Sequence, residues 1–182
     1  MKTRAEIELL VGSLLSRHNV QGPPVNVKNI AISEGLQVFE MPLSGDVSGA
    51  LLRSNGASII AVHDGDPPNR RRFSIGHELA HHFLSHEGEG EHLDWKFTVL
   101  RRDGKSSQAT DAHEIEANFF AASLLMPKDF LRKDVAQFAR FNGEAALGEG
   151  DIQELARRYE VSKLAMSYRL VSLGLIDPNS IA

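Results

Sequence analysis

The chain has no cysteine, which removes disulfides, cysteine-held zinc and thiol catalysis together. Any metal it binds must be held by histidine and carboxylate. It also lacks any run near the roughly 18 consecutive apolar residues of a membrane span. The opening MKTRAEIELLVGSLL starts with charge as a signal peptide does. Glu6 and Glu8, however, interrupt the would-be apolar region, and no clean small-residue cleavage site follows. A cytoplasmic protein with no membrane partner is the expectation. A basic excess is missing as well: net charge is −4, which argues against a strongly basic nucleic-acid binder. There is no internal repeat or low-complexity tract. What is present is an ordinary composition, 182 residues with 42% hydrophobic content, enough for one cored domain or one with a small appendage.

The stretch NRRRFSIGHELAHHFLSH, Asn69 to His86, organises the rest. Its centre, His77-Glu78-Leu79-Ala80-His81, is an H-E-x-x-H arrangement. Residues four apart share a helix face, so both imidazoles can point at one ion while Glu78 reaches a water on it. Ile75, Leu79 and Phe83 repeat every four residues beside them as a core-facing stripe, and Asn69 after Pro67-Pro68 is a plausible N-cap. Gly76 costs about 1 kcal/mol relative to Ala in a helix interior, which implies that a neighbouring backbone or ligand needs the space. Arg70, Arg71 and Arg72 oppose the helix dipole by about 0.3–1 kcal/mol each. They are either a solvated cationic patch or contacts to an acidic partner or substrate.

In chain order, Thr3 and Glu6 form a capping box, and Ile7, Leu10, Val11, Leu14 and Leu15 trace the apolar face of a helix from about Arg4 to His18. A short helix from Val27 to Glu34 ends at Gly35, and Leu36 to Met41 reads as a strand. Val47 to Arg53 and Ser58 to His63 flank an Asn55-Gly56 hairpin signal. A small antiparallel sheet is therefore expected before the H-E-x-x-H helix. Residues 87 to 110 read as a polar loop holding an apolar island, Trp95 to Leu100. Its cluster Glu87, Glu89, Glu91, His92 and Asp94 is either solvated surface or a set of ligands. Asp111 opens a helix closed by Pro127, whose Ala117, Ala121 and Ala122 allow close approach of another helix. A further helix runs from about Lys128 to Phe141, and a Gly-punctuated segment follows to Gly150. Asp151 and Glu154 then read as a capping box, followed by a helix to Tyr159, a tight Glu160-Val161-Ser162 turn and a helix from Lys163 to Leu173 ended by Gly174. That is a helix-turn-helix outline. Residues 151 to 176 carry four Arg or Lys against three Asp or Glu, a net of +1, thin for a DNA reader. The expected organisation is a core of residues 1–142 and a helical extension of 143–182.

A catalytic zinc usually takes three protein ligands and a water. His77 and His81 supply two. The metzincin pattern fails for the third, because its Gly and His positions are Leu84 and Glu87 here. His86 falls one place short. His82 sits about 100° round the helix from His81 and reads as a supporting or core residue. The combination R-x-x-F-S-I-G-H-E-L-A-H-H, preceded by a hairpin and followed by E-x-x-A-N-x-F-A-A-x-L-L-M-P, resembles the ImmA/IrrE family of metallopeptidases, zincins of the gluzincin type. The tail LARRYEVSKLAMSYRLVSLGLI is similar to the helix-turn-helix-like end of many members.

The resemblance implies an α+β, zincin-like core with Zn2+ on His77, His81 and Glu114, Glu78 as general base, and a helix-turn-helix extension. Gly76 stands where Ala is more usual in the family. Glu114 and Glu116 lie about 200° apart on their helix, so only one can face the metal. Glu114 is the expected ligand and Glu116 the residue on the opposite, wetter side, although Glu114 could instead close a capping box on Asp111. Asn118, four residues on from Glu114, could orient a ligand. Tyr168, Tyr159, His113 and His63 are candidate oxyanion donors, with no sequence signal to choose among them. Val47 to Arg53 or Ser58 to His63 could pair with an extended substrate, or be ordinary core strands. The activity implied is zinc-dependent cleavage of a helix-turn-helix repressor encoded nearby, switching on phage, mobile-element or stress-response genes. A non-catalytic zinc-containing regulator that binds DNA or a protein, and the protease or toxin half of a toxin-antitoxin pair, are the alternatives.

Overall fold

A computed structural model of the protein describes residues 1–54, 56–84, 90–95, 108–142 and 147–178. It is an α+β fold with the element order α1 (Arg4–Arg17), α2 (Val27–Ser33), β1 (Leu36–Met41), β2 (Val47–Ser54), β3 (Ala57–His63), α3 (Pro68–Leu84), β4 (Gly90–Trp95), α4 (Gln108–Leu125), α5 (Lys128–Asn142), α6 (Glu149–Tyr159) and α7 (Lys163–Ser172). Helix α1 has both halves of its Thr3–Glu6 capping box and buries Ile7, Val11, Leu14 and Leu15. Asn26 caps α2, and Gly35 follows with φ +89.

The sheet is mixed rather than antiparallel. Its order is β1-β3-β2-β4, with β1 parallel to β3 (Leu36↔Ser58 to Met41↔His63) and the β2–β3 and β2–β4 pairs antiparallel. The hairpin formed as expected, with Ser54 opposite Ala57 and Gly56 at φ +76, while Asn55 lies outside the described residues. What the hairpin does not decide is the side on which β1 joins. β3 carries the continuous apolar run of a strand flanked on both sides, with Ile60, Ala61 and Val62 buried, whereas Phe39 and Met41 of β1 are exposed in the manner of an edge. Both β2 and β3 are thus internal, their backbone groups already used in ladders, and neither can take a substrate strand.

Part of the expected loop 87–110 is the strand β4, which pairs with β2 from Val47↔Trp95 to Arg53↔Gly90. Glu91, His92 and Asp94 lie on it. Glu87, Glu89, and the island beyond Trp95 lie outside the described residues.

Helix α3 begins at Pro68, so Asn69 is inside the first turn and not its cap. The three arginines are neither a solvated patch nor poised for a substrate. Arg70 donates to Ser48 Oγ on β2 (3.3 and 3.2 Å), Arg71 to the carbonyls of Asp64 and Asp66, and Arg72 pairs with Glu160 (3.1 Å) at the end of α6. Each ties α3 to a different element, and those contacts offset the dipole cost.

Helix α4 packs between α3 and α1. Against α3, a Cβ placed on Gly76 would stand 3.4 Å from Ala121 Cβ and 3.5 Å from its Cα, so the expected close approach is real. On its other side the Lys2 amide donates to Glu116 and Ser123 Oγ donates to Glu8 Oε1 (3.2 Å). Glu116 is therefore buried at 7% exposure, not on a wet face. The apolar run Phe119-Phe120-Ala121-Ala122 is what a helix covered on several sides requires.

The tail helices add Ile152, Leu155, Ala156, Tyr159, Met166 and Leu170 to the same hydrophobic core. Helix α6 starts two residues before Asp151, whose carboxylate accepts the Gly148 amide (2.9 Å) from inside the first turn. Glu154 is then free of the capping role and bonds Arg157 (2.7 Å). Ser162 caps α7 and Gly174 ends it at φ +67. Among the described residues, no helix is long and apolar enough to cross a membrane.

The Gly76 contact makes a graded prediction. Gly76→Ala fits at ordinary van der Waals distance and gains helix propensity, so its stability should match or exceed wild type by up to about 1 kcal/mol. Gly76→Leu should cost about 1–3 kcal/mol through overpacking. Urea unfolding of the three proteins measures both, and a leucine tolerated without loss would mean that the two helices do not meet there.

Candidate metal centre

Helix α3 presents His77 and His81 one turn apart, both buried, and their Nε2 atoms lie 3.0 Å from each other. As α3 runs from Gly76 to His81, its contacts on α4 run back from Ala121 to Glu114, so the two helices are antiparallel. That places Glu114 over the histidine pair. Its Oε2 is 3.2 Å from His77 Nε2 and its Oε1 is 3.4 Å from His81 Nε2. Among the described residues, these three form the only group of His, Cys, Asp or Glu able to hold a metal ion.

The donor set fits a divalent metal such as zinc. Ligands at about 2.0–2.1 Å from a tetrahedral zinc stand about 3.3 Å apart, and the three separations here bracket that value. Asn118, one turn after Glu114, sets its Oδ1 3.1 Å from His77 Nδ1. A carbonyl oxygen only accepts, so Nδ1 carries the proton and Nε2 keeps its lone pair for the shared point. Because α4 begins at Gln108, Asp111 does not open the helix and Glu114 lies beyond the first turn, where a capping box on Asp111 has no place. Glu114 is the exposed member, at 34% of its side chain, so the group opens to solvent on the α4 side.

Glu78 is fully buried on α3. Its carboxylate lies against β2, where a Cβ on Gly49 would stand 3.0 Å from Oε1 and 3.5 Å from Cγ. Sequence reasoning missed Gly49, and a lone glycine in a strand is the only signal it offers.

Other candidates sit elsewhere. His82 is half-buried; its imidazole is pushed below the ordinary value by burial and then by the nearby Arg53 charge. Tyr159 lies in the core, its hydroxyl donating to Asp134 Oδ2 (2.8 Å), and burial followed by that carboxylate holds the phenol well above its usual range. It is not available to an oxyanion. His63 closes β3, its Nδ1 accepting the Gly65 amide (2.9 Å). Tyr168 is exposed on α7, and His113 precedes Glu114 on α4, about 100° round the helix.

A family model described as the IrrE N-terminal-like domain (Peptidase_M78) matches residues 32–171. The chain belongs to the IrrE N-terminal-like family. That family points to a metallopeptidase in general, in keeping with a metal group of two histidines and a glutamate. No curated protein matches the chain. Among solved structures it is similar to a Mycobacterium tuberculosis transcriptional regulator, with TM-score 0.62 and 18% identity over 91% of this chain. That likeness is one of fold, and the chain spans only 55% of the regulator's length.

Two glutamates of α4 separate cleanly by experiment. Glu114→Ala should lose tight zinc binding with the fold retained. Asn118→Ala should weaken it about 10–100-fold. Glu116→Ala should keep the metal and lose about 1–2 kcal/mol of stability with the Lys2 amide bond. Metal titration alongside thermal unfolding reads all three, and zinc loss from Glu116→Ala with retention in Glu114→Ala would reassign the ligand.

Proposed function

We propose that this IrrE-family protein is a zinc-dependent endopeptidase with a zincin-like core, and that its substrate is a helix-turn-helix repressor encoded nearby. The observation that carries the reading is the buried Glu78 next to His77 on α3, the helix that supplies both histidines of the group completed by Glu114 of α4. A purely structural metal site has no use for a general base beside it.

When bound, the zinc supplies Lewis-acid polarisation of a carbonyl and acidifies water toward neutral pH. His77 and His81 hold it through Nε2, Asn118 fixes the His77 ring, and Glu114 completes the set from α4. Glu78 takes a proton from the attacking water on its carboxylate and returns it to the leaving amine. His113 and Tyr168 are the remaining candidates for the oxyanion. Glu114 faces solvent, so the substrate enters from that side. Zinc incubation of the purified protein with the neighbouring repressor should give cleavage by wild type. Glu78→Gln should keep its metal and lose at least about 100-fold in rate, the lower range for a removed acid–base group, while His77→Ala loses both. Equal cleavage by Glu78→Gln and wild type would sink the peptidase reading and leave a non-catalytic, zinc-containing regulator.

The tail we assign to protein contact, as a helix-turn-helix-like extension that does not read DNA. Each of its four cations has a carboxylate partner: Arg157 with Glu154, Arg158 with Asp134, Lys163 with Glu149 and Arg169 with Glu8. None is left to neutralise phosphate without breaking a pair. Meanwhile Leu164 and Tyr168, one turn apart on α7, are exposed at 58% and 61%, the apolar and aromatic chemistry of a protein interface. Leu164→Ala with Tyr168→Ala should weaken repressor binding about 10-fold or more, while the full chain should bind duplex DNA no tighter than about the non-specific micromolar range. Nanomolar, salt-dependent binding to a defined operator would overturn the assignment.

A further inference from the structure

We infer that Gly49 is a positioning residue for Glu78: its missing side chain leaves the space in which the Glu78 carboxylate stands between β2 and α3. The inference rests on the reading of Glu78 as the proton-transferring base.

Gly49 is not required by its backbone, since it is absent from the glycines held at positive φ. Its requirement is room. A Cβ there would meet Glu78 Oε1 at 3.0 Å, Ser74 Cβ at 3.2 Å and Glu78 Cγ at 3.5 Å. Ser74 is fully buried and its Cβ is fixed to the helix backbone, so it cannot yield without moving α3. The carboxylate is the free end of a side chain and is what would shift.

Nor can the strand retreat. Ser48 Oγ holds Arg70 near the start of α3, and Arg53 Nη2 donates to the His81 carbonyl (2.7 Å) near its end. The eleven steps from Arg70 to His81 rise about 16 Å in a helix, and the five steps from Ser48 to Arg53 span about 16 Å in a strand. The two elements are thus matched in length and pinned at both ends, with Gly49 facing Ser74 and Glu78 between the pins. β2 is further fixed by ladders to β3 and β4, with its register irregularity at Val47/Gly49. The three atoms nearest the added Cβ belong to Glu78 and Ser74, none to His77, His81 or Glu114. Adding a methyl should therefore disturb the base and spare the metal.

The test uses the full chain with Gly49→Ala, Glu78→Ala and the double variant, together with wild type. Loaded with zinc, Gly49→Ala should hold as much metal as wild type, lose about 10–100-fold in kcat from a misplaced base, and keep KM within about 3-fold. In the metal-free proteins, Gly49→Ala should lower the unfolding temperature by roughly 3–8 °C in the Glu78 background and by less than half as much when Glu78→Ala has removed the two opposing atoms. An equal loss in both backgrounds, or an unchanged kcat in Gly49→Ala, would overturn the inference. If wild type cleaves no repressor, the peptidase reading fails by itself. The metal-free coupling then decides alone whether Gly49 makes room for Glu78.

Discussion

The contact on which the site depends is the one between Gly76 of α3 and Ala121 of α4. His77 and His81 are placed by helix geometry alone, but Glu114 belongs to a helix more than thirty residues away along the chain. It can reach the histidines only if the two helices run close together over the intervening turns. Small residues make that distance possible: Ala80, Ala117 and Ala121 are fully buried around Gly76. What the contact requires at position 76 is a small residue: a methyl would still fit against Ala121 at ordinary contact distance, whereas a larger side chain would push the two helices apart.

A second constraint comes from the sheet side. β2 is braced along α3 by an arginine at each end, Arg70 reaching out of the helix and Arg53 reaching into it. These are side chain to hydroxyl and side chain to carbonyl bonds in a half-buried setting, where a charged donor contributes more than a neutral one. The helix bearing the histidines is therefore held by α4 on one side and by β2 on another, and Arg72 ties it to the α6 end through Glu160. Three donor atoms brought within 3.0–3.4 Å of one another need such bracing, because helices free to rock would spread them apart.

What was legible in the sequence was local. The H-E-x-x-H spacing, the Thr3–Glu6 box, the Asn-Gly hairpin and the glycine after α7 each depend on residues within four or five positions of one another, and each appears in the structure where its signal lies. The strand order is not local. Nothing in Leu36 to Met41 says that this segment lies beside β3 in parallel and not beside β2, since the choice is made by the crossover through residues 42–46. The arginines misled for the same reason. Their carbonyl, hydroxyl and carboxylate partners come from β2, the β3–α3 connection and α6, and no window of sequence holds both halves of those pairs.

Glu116 is the most instructive of these cases. Helical geometry correctly separates it from Glu114 by about 200°, and from that alone the opposite side of α4 could be wet. Yet α1 lies outside the region shared with the family, residues 32–171, and still covers α4. The Lys2 amide reaches Glu116, and Glu8 takes Ser123 on α4 together with Arg169 on α7 (2.7 Å). Arg169 in turn donates to the Met126 carbonyl at the end of α4 (3.0 Å). A buried guanidinium with two fixed acceptors is costly to break, since removing either partner strands a charge away from water. The first helix and the last are therefore joined across the end of α4. The side of that helix turned away from His77 and His81 is part of the core, and the polar end of Glu116 is buried because the Lys2 backbone amide is there to meet it.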